Sequence, residues 1–142
     1  MTKSNKLKIV LDTNVLLVSL SETSKYHWIY TKLIQEDFFL FISNEVLTEY
    51  EEIFETRINQ GISKKTIRLL LTLPNIYFVN PYFSWNLISV DPDDNKFIDC
   101  AFFGNVDYIV TNDKHFDILK QVEFPKINVI NIDQFKELIS KT

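Results

Sequence analysis

The chain has 142 residues, enough for one domain that buries roughly two thirds of the surface its unfolded form exposes, so no covalent staple is needed. Its 46% hydrophobic content, 12 Phe, 2 Gly and 4 Pro exclude a low-complexity or disordered chain and leave little material for linkers. A net charge of −4 argues against binding nucleic acid by bulk electrostatics alone, unless several acids are gathered at one cation-binding site and neutralised there.

Leu7 to Leu11 is an apolar run that stops abruptly at Asp-Thr-Asn, as a buried strand does where a polar loop and helix begin. Tyr26 to Glu36 places Ile29, Leu33 and Ile34 at helical spacing, and Phe38 to Ile42 is a second strand. Ser43 is an N-cap for a long helix to about Gln60, with Val46, Leu47, Tyr50, Ile53, Phe54 and Ile58 on one face and Gly61 as its stop. A shorter helix, about Lys64 to Leu73, ends before Pro74, and Ile76 to Val79 is a third strand.

Asn80 to Pro92 reads as an irregular connection holding Pro81, Trp85 and Pro92. Asp93 and Asp94 then open a helix through about Phe103, followed by a fourth strand, Tyr108 to Val110, that ends in Thr-Asn-Asp. Ile127 to Ile132 is a fifth strand, and Asp133 is the expected N-cap of a last helix to Ile139. Strands alternating with helices predict an α/β sandwich with a mainly parallel sheet and no second domain, so residues 1–142 form one unit. The single Cys100, the polar stretch Met1 to Lys8, and the interruption of Ile9 to Leu20 by Asp12, Thr13, Asn14 and Ser19 predict a cytoplasmic protein without disulfide, leader or membrane span.

In a parallel sheet, Asp12 after strand one and Asp113 after strand four emerge at the same edge, where open α/β folds bind their ligands. Asp94 shares a helical face with Phe97, Ile98 and Ala101 and so points inward, and Glu49 lies one turn from Val46 and Ile53, at the border of the apolar stripe. Such acids, with no obvious Arg or Lys among them, would repel one another, and a bound divalent cation resolves the conflict. Oxygen donors favour Mg²⁺ or Mn²⁺; His27 and His115 stand alone, so no His/Cys spacing suggests zinc. A hard ion among carboxylates suits hydrolysis of a phosphodiester.

The segments VLDTNVLL at Val10 to Leu17, SNEVLTEYEE at Ser43 to Glu52, DPDDNKFIDCA at Asp91 to Ala101 and DYIVTNDKHF at Asp107 to Phe116 resemble, in order and spacing, the PIN-domain nucleases. They look most like bacterial PIN-family toxins of toxin–antitoxin systems, over nearly the whole chain. The resemblance implies a PIN-like three-layer α/β/α sandwich around a mainly parallel sheet of about five strands. It makes Asp12, Glu49, Asp94 and Asp113 the acidic quartet that binds Mg²⁺ or Mn²⁺, with endoribonuclease activity, and it implies an RNA substrate and a small antitoxin as partners. Asp99 is a second-tier metal ligand, because the subgroup carries an acid there while the helical wheel sets it about 140° from Asp94, away from the main buried face. Asn14 follows the Asp-x-Asn pattern of the family and supports Asp12 or a water, and Thr111 donates to a neighbouring carboxylate.

Each residue also has an ordinary reading: Asp12 and Asp94 as N-caps, Asn112 and Asp113 as a turn, Glu49 as a solvated helix residue. Their joint placement in one β-α order favours the site. Lys64, Lys65 and Arg68 read as a solvated helix face before a phosphate grip, and the aromatic residues Phe38, Phe39, Phe41, Tyr82, Phe83 and Trp85 as core or as the surface of a homodimer before base-stacking platforms. Cys100 reads as a small buried hydrophobe and His115 as dispensable. The competing classes are a non-catalytic PIN-fold module that binds RNA or protein, and an aspartyl phosphatase, whose second Asp the run Asp12-Thr13-Asn14 lacks.

Overall fold

The computed structural model describes residues 6–141, so part of the polar N-terminal stretch and Thr142 lie outside the described residues. The elements in chain order are β1 (Lys8–Leu11), α1 (Thr13–Ser19), α2 (His27–Ile34), β2 (Phe39–Ile42), α3 (Asn44–Arg57), α4 (Gln60–Thr72), β3 (Ile76–Phe78), α5 (Asn95–Gly104), β4 (Tyr108–Val110), β5 (Val129–Ile130) and α6 (Ile132–Ser140). The five strands form one sheet in the order β3-β2-β1-β4-β5, and every pairing is parallel. Helices flank it in an α/β/α arrangement, and none is long and apolar enough to cross a membrane.

The apolar runs account for the sheet. Ile9, Val10 and Leu11 on β1, Leu40 and Ile42 on β2, and Ile109 and Val110 on β4 are completely buried, as central parallel strands covered on both faces must be. α5 packs across β1, β2 and β4, while Phe135 of α6 meets Phe38 edge-on at 5.2 Å and packs against Trp28 of α2. The order of the strands reverses between β1 and β4: β2 and β3 extend to one side of β1, β4 and β5 to the other. Ligand sites of open α/β sheets form at such a reversal, outside the carboxyl ends of the strands.

Ser43 caps α3 as its position predicts, accepting from the Val46 N–H at 3.2 Å. Three expectations need correction. Gly61 does not stop the long helix; α3 ends at Arg57, Asn59 caps α4 by accepting from the Ile62 N–H at 2.8 Å, and Gly61 lies in the first turn of α4. An Asn side chain that satisfies a free N–H outweighs the weak breaking tendency of one glycine. Asp133 is not the cap of the last helix, because Asn131 and Gln134 form a reciprocal capping box two residues earlier and shorten β5 to Val129–Ile130. A 3₁₀ helix at Lys114–Gln121 fills the β4–β5 connection, where Phe116 and Leu119 bury at three-residue spacing.

Gly104 marks a close approach at the end of α5. A Cβ there would meet Phe41 Cδ2 at 2.8 Å and Val79 Cγ2 at 3.1 Å, and Asn105 follows in the left-handed region to end the helix. Gly104→Ala is therefore expected to lose about 1–3 kcal/mol through overpacking despite the better helix propensity of alanine, measured as a lower urea midpoint with an unchanged m-value.

Candidate active site

The site is built from the edge where β1 and β4 end side by side. The Asp12 N–H donates to the Val110 carbonyl at 3.1 Å, continuing the ladder one residue past β1. Asp12 then turns to become the first half-residue of α1, 6% exposed, but its side chain makes no cap hydrogen bond. Instead Asp12 Oδ2 accepts from the Thr111 hydroxyl at 2.7 Å, and Thr111 Oγ1 in turn accepts from the Asp113 N–H at 2.9 Å. One buried threonine thus braces the acid after β1 and the loop after β4. Asp113 does act as a cap, its Oδ1 accepting from the His115 N–H at 2.9 Å, and remains partly exposed.

Glu49 is held to the same edge by its neighbour. Tyr50, completely buried, donates its hydroxyl to the Leu11 carbonyl at 2.7 Å, which pins α3 against the end of β1. Glu49 Oε2 accepts from the Thr13 hydroxyl at 2.5 Å, and Oε1 lies 2.7 Å from Lys96 Nζ on α5. The carboxylates do not lack a cation: Lys96 is in the cluster, brought there by α3–α5 packing that spacing along one helix does not reveal. Asp94 closes the 3₁₀ turn Pro92–Asp94; Asn95 fastens that turn, its side chain accepting from the Ile88 N–H and donating to the Ile88 and Pro92 carbonyls. Asp94 is 9% exposed and, like Asp12, makes no cap bond; its Oδ2 is buried with no hydrogen-bond partner.

Asp12 and Asp94 are forced together with like charges. Burial first, with the charges of Asp113 and Glu49 adding to it, pushes the Asp12 carboxyl up to about 6 against the pull of the Thr111 hydrogen bond. Asp94 also rises to about 6, first by burial, then by the charges of Asp91, Asp12 and Asp113. All four acids of the quartet therefore sit within electrostatic reach of Asp12 or of one another. Asp12 and Asp113 line a cleft of about 330 Å³ with Asn14, Val15, Val18, Tyr26, Asn112 and Ile132. Asn14 is exposed at its rim.

Asp99 is not on an open face. It is 4% exposed and accepts from the Trp85 N–H at 3.0 Å, because the connection from Asn80 folds back over that side of α5; its charged neighbour is Glu45, outside the cluster. His115 does not stand alone either: its Nδ1 lies 3.5 Å from both Asp94 Oδ2 and Asp113 Oδ1. Its position two residues after Asp113 was the available signal. Lys64, Lys65 and Arg68 are exposed and line a separate groove with Leu20, Tyr30 and Leu69. Of the aromatic residues, Phe38 and Phe41 are core, Trp85 is half-buried, and Tyr82 and Phe83 lie at the surface. Cys100 is buried.

Oxygen donors dominate the cluster, and the buried, unpartnered oxygen of Asp94 is an acceptor awaiting a positive partner. That donor set fits a hard divalent cation, which removes the repulsion and needs no proton.

A model of the PIN domain family matches residues 8–115. Among solved structures, VapBC2 from Rickettsia felis bound to a DNA fragment from its promoter matches with a TM-score of 0.61 at 15% identity, covering 88% of this chain and 98% of that one. The PIN domain of T. brucei RRP44 matches with a TM-score of 0.54 at 10% identity, covering 97% of this chain and 83% of that one. No curated protein matches the chain in sequence.

Because the folded carboxyls of Asp12 and Asp94 titrate near 6 and the unfolded ones near 3.8, the folded protein binds more protons across that window. Their contribution to stability is therefore most favourable at the acid end and falls as pH rises through it. Asp12→Asn, which keeps an oxygen for Thr111 and removes the charge, is expected to stabilise the metal-free protein at pH 7 by on the order of 2 kcal/mol and to flatten this slope. Urea unfolding in EDTA at pH 5, 6 and 7 checks both effects.

Proposed function

The chain belongs to the PIN-domain family, and from that premise we propose that it is a divalent-metal-dependent endoribonuclease hydrolysing RNA phosphodiester bonds in the cytoplasm. The observation that carries the reading is the convergence of Asp12, Glu49, Asp94 and Asp113 at the reversal of strand order, with the buried Asp94 oxygen unpartnered. Metal ligation by these four residues accounts for a charge arrangement that the fold otherwise leaves strained. Asp99, committed to the Trp85 N–H, serves the connection instead.

Asp12, Asp94, Asp113 and Glu49 would hold Mg²⁺ or Mn²⁺. When bound, such an ion lowers the pKa of a coordinated water and neutralises charge on the phosphodiester. The chain's own residues prepare the place for it. Thr111 fixes the Asp12 carboxylate and the backbone of Asp113 through one hydroxyl. Thr13 and Lys96 fix Glu49. Asn14, at the rim of the cleft, can orient water or a phosphate oxygen beside Asp12. Because the Asp12 and Asp94 carboxyls are raised to about 6, holding a cation would require their deprotonated forms, and metal affinity is expected to rise with pH through about 6.

The likeness to the Rickettsia felis VapBC2 structure supports a place in a toxin–antitoxin pair, with a small antitoxin protein as partner and the aromatic surface at Tyr82 and Phe83 open to a homodimer contact. A short adjacent reading frame for a DNA-binding protein would fit that role. A non-catalytic module would need none of the four acids, and all four are present.

Purified protein is expected to cleave single-stranded RNA with Mn²⁺ or Mg²⁺ and to stop on addition of EDTA, while Asp12→Asn, folded and at least as stable as the parent, loses about 10²-fold or more of the rate. Metal-independent cleavage, or full activity of the variant, contradicts the mechanism.

A further inference from the structure

The quartet is not the most compact potential ligand set in the molecule. Among the described residues, one ligand atom each from Asp91, Asp94 and His115 lies within 4.8 Å of the other two. The acid shared with the quartet is Asp94, whose Oδ2 is buried without a hydrogen-bond partner. His115 Nδ1 is 3.5 Å from that oxygen, longer than a hydrogen bond, and equally far from Asp113 Oδ1, which already accepts the backbone N–H of His115. A nitrogen donor therefore stands at the outer edge of an oxygen cluster, on a residue 40% exposed and free to adjust.

We propose that His115, with Asp94 and Asp91, is a metal ligand that makes this site select a transition ion, Mn²⁺, over Mg²⁺. The proposal rests on the nuclease reading for the presence of an ion, and goes beyond it in naming the ion and the residue that chooses it. The chemistry is that of donor type. Mg²⁺ dehydrates reluctantly and takes carboxylate, phosphate and water oxygens in a tight octahedron, whereas a first-row transition ion accepts imidazole beside carboxylate. Two carboxylates and one imidazole leave coordination positions open for water and a phosphate oxygen, as a catalytic site requires. The set is also hinged. Asp91 and Asp94 are spaced by one 3₁₀ turn and His115 follows the Asp113 cap, so closing the ligand atoms onto an ion moves only side chains of two turns.

His115→Ala and His115→Asp separate nitrogen ligation from mere charge balance. Isothermal titration of the metal-free protein at pH 7 with MnCl₂ and with MgCl₂ is expected to give Mn²⁺ binding at least about tenfold tighter than Mg²⁺. In His115→Ala the Mn²⁺ affinity falls about tenfold or more while Mg²⁺ changes less than about threefold. His115→Asp, which restores a donor but an oxygen one, binds Mg²⁺ at least as well as the parent and does not regain the Mn²⁺ preference. Circular dichroism melts verify that both variants fold, and the ring of His27, held by its Nδ1 2.8 Å from the Ser19 carbonyl, serves as an internal control in ¹⁵N histidine spectra. If His115→Ala leaves the Mn²⁺/Mg²⁺ ratio unchanged while Asp12→Asn abolishes binding of both ions, the inference fails and the nuclease reading stands. If the parent protein binds neither ion at millimolar concentration, both fail.

Discussion

β1 and β4 are parallel neighbours that end at the same level, and each functional group of the site is placed relative to that shared edge. A parallel pair must send both chains out on the same side, and the reversal of strand order there leaves the edge uncovered by a crossover connection. Two further interactions turn the edge into a site. The Asp12 N–H to Val110 bond carries the ladder one residue beyond β1, and the Tyr50 hydroxyl to Leu11 bond brings α3 to the end of the same strand. Neither involves a carboxylate, so the scaffold of the site stands independently of the charges mounted on it.

The charges work against the scaffold. Asp12 is buried and held by Thr111, yet the hydroxyl offsets only part of what burial and the neighbouring acids impose, and its carboxyl is displaced upward. A fold selected for stability alone would place an amide or an apolar group there. The compensation that the chain does supply is unequal across the cluster. On one flank Glu49 has both oxygens engaged, by Thr13 and by Lys96. On the other, Asp94 keeps an oxygen bare, with an imidazole near it but outside hydrogen-bonding distance.

Much of this was legible from the chain itself, for identifiable reasons. The strands are apolar runs ended by polar residues, and a parallel sheet follows from their alternation with helices, so the meeting of Asp12 and Asp113 needed only topology. Asp94 could be turned inward by helical phase because Phe97, Ile98 and Ala101 mark the buried side. Phase failed for Asp99, since a helix can have two covered sides when a long connection folds back on it, and the Asn80 to Pro92 segment has no periodicity to announce that. Lys96 was invisible for a similar reason: its partner is 47 residues away, and only the packing of α3 against α5 brings them together. Capping competitions, Asn59 over Gly61 and Asn131 over Asp133, moved helix boundaries by a few residues without moving the site.

The asymmetry between the two flanks sets an order of events for a cation approaching the cluster. To reach both oxygens of Glu49 it must displace an ammonium held at 2.7 Å, in a pair whose side chains are each only about one-fifth exposed, and so weakly screened by water. To reach Asp94 it would displace at most the loose 3.5 Å contact of His115, a side chain that lies at the surface. Entry at the Asp94 side would therefore cost less than entry at Glu49. The flank at Glu49 already carries the charge of Lys96, which offsets part of the negative charge that a phosphodiester would meet, while the flank at Asp94 leaves an oxygen open to a cation.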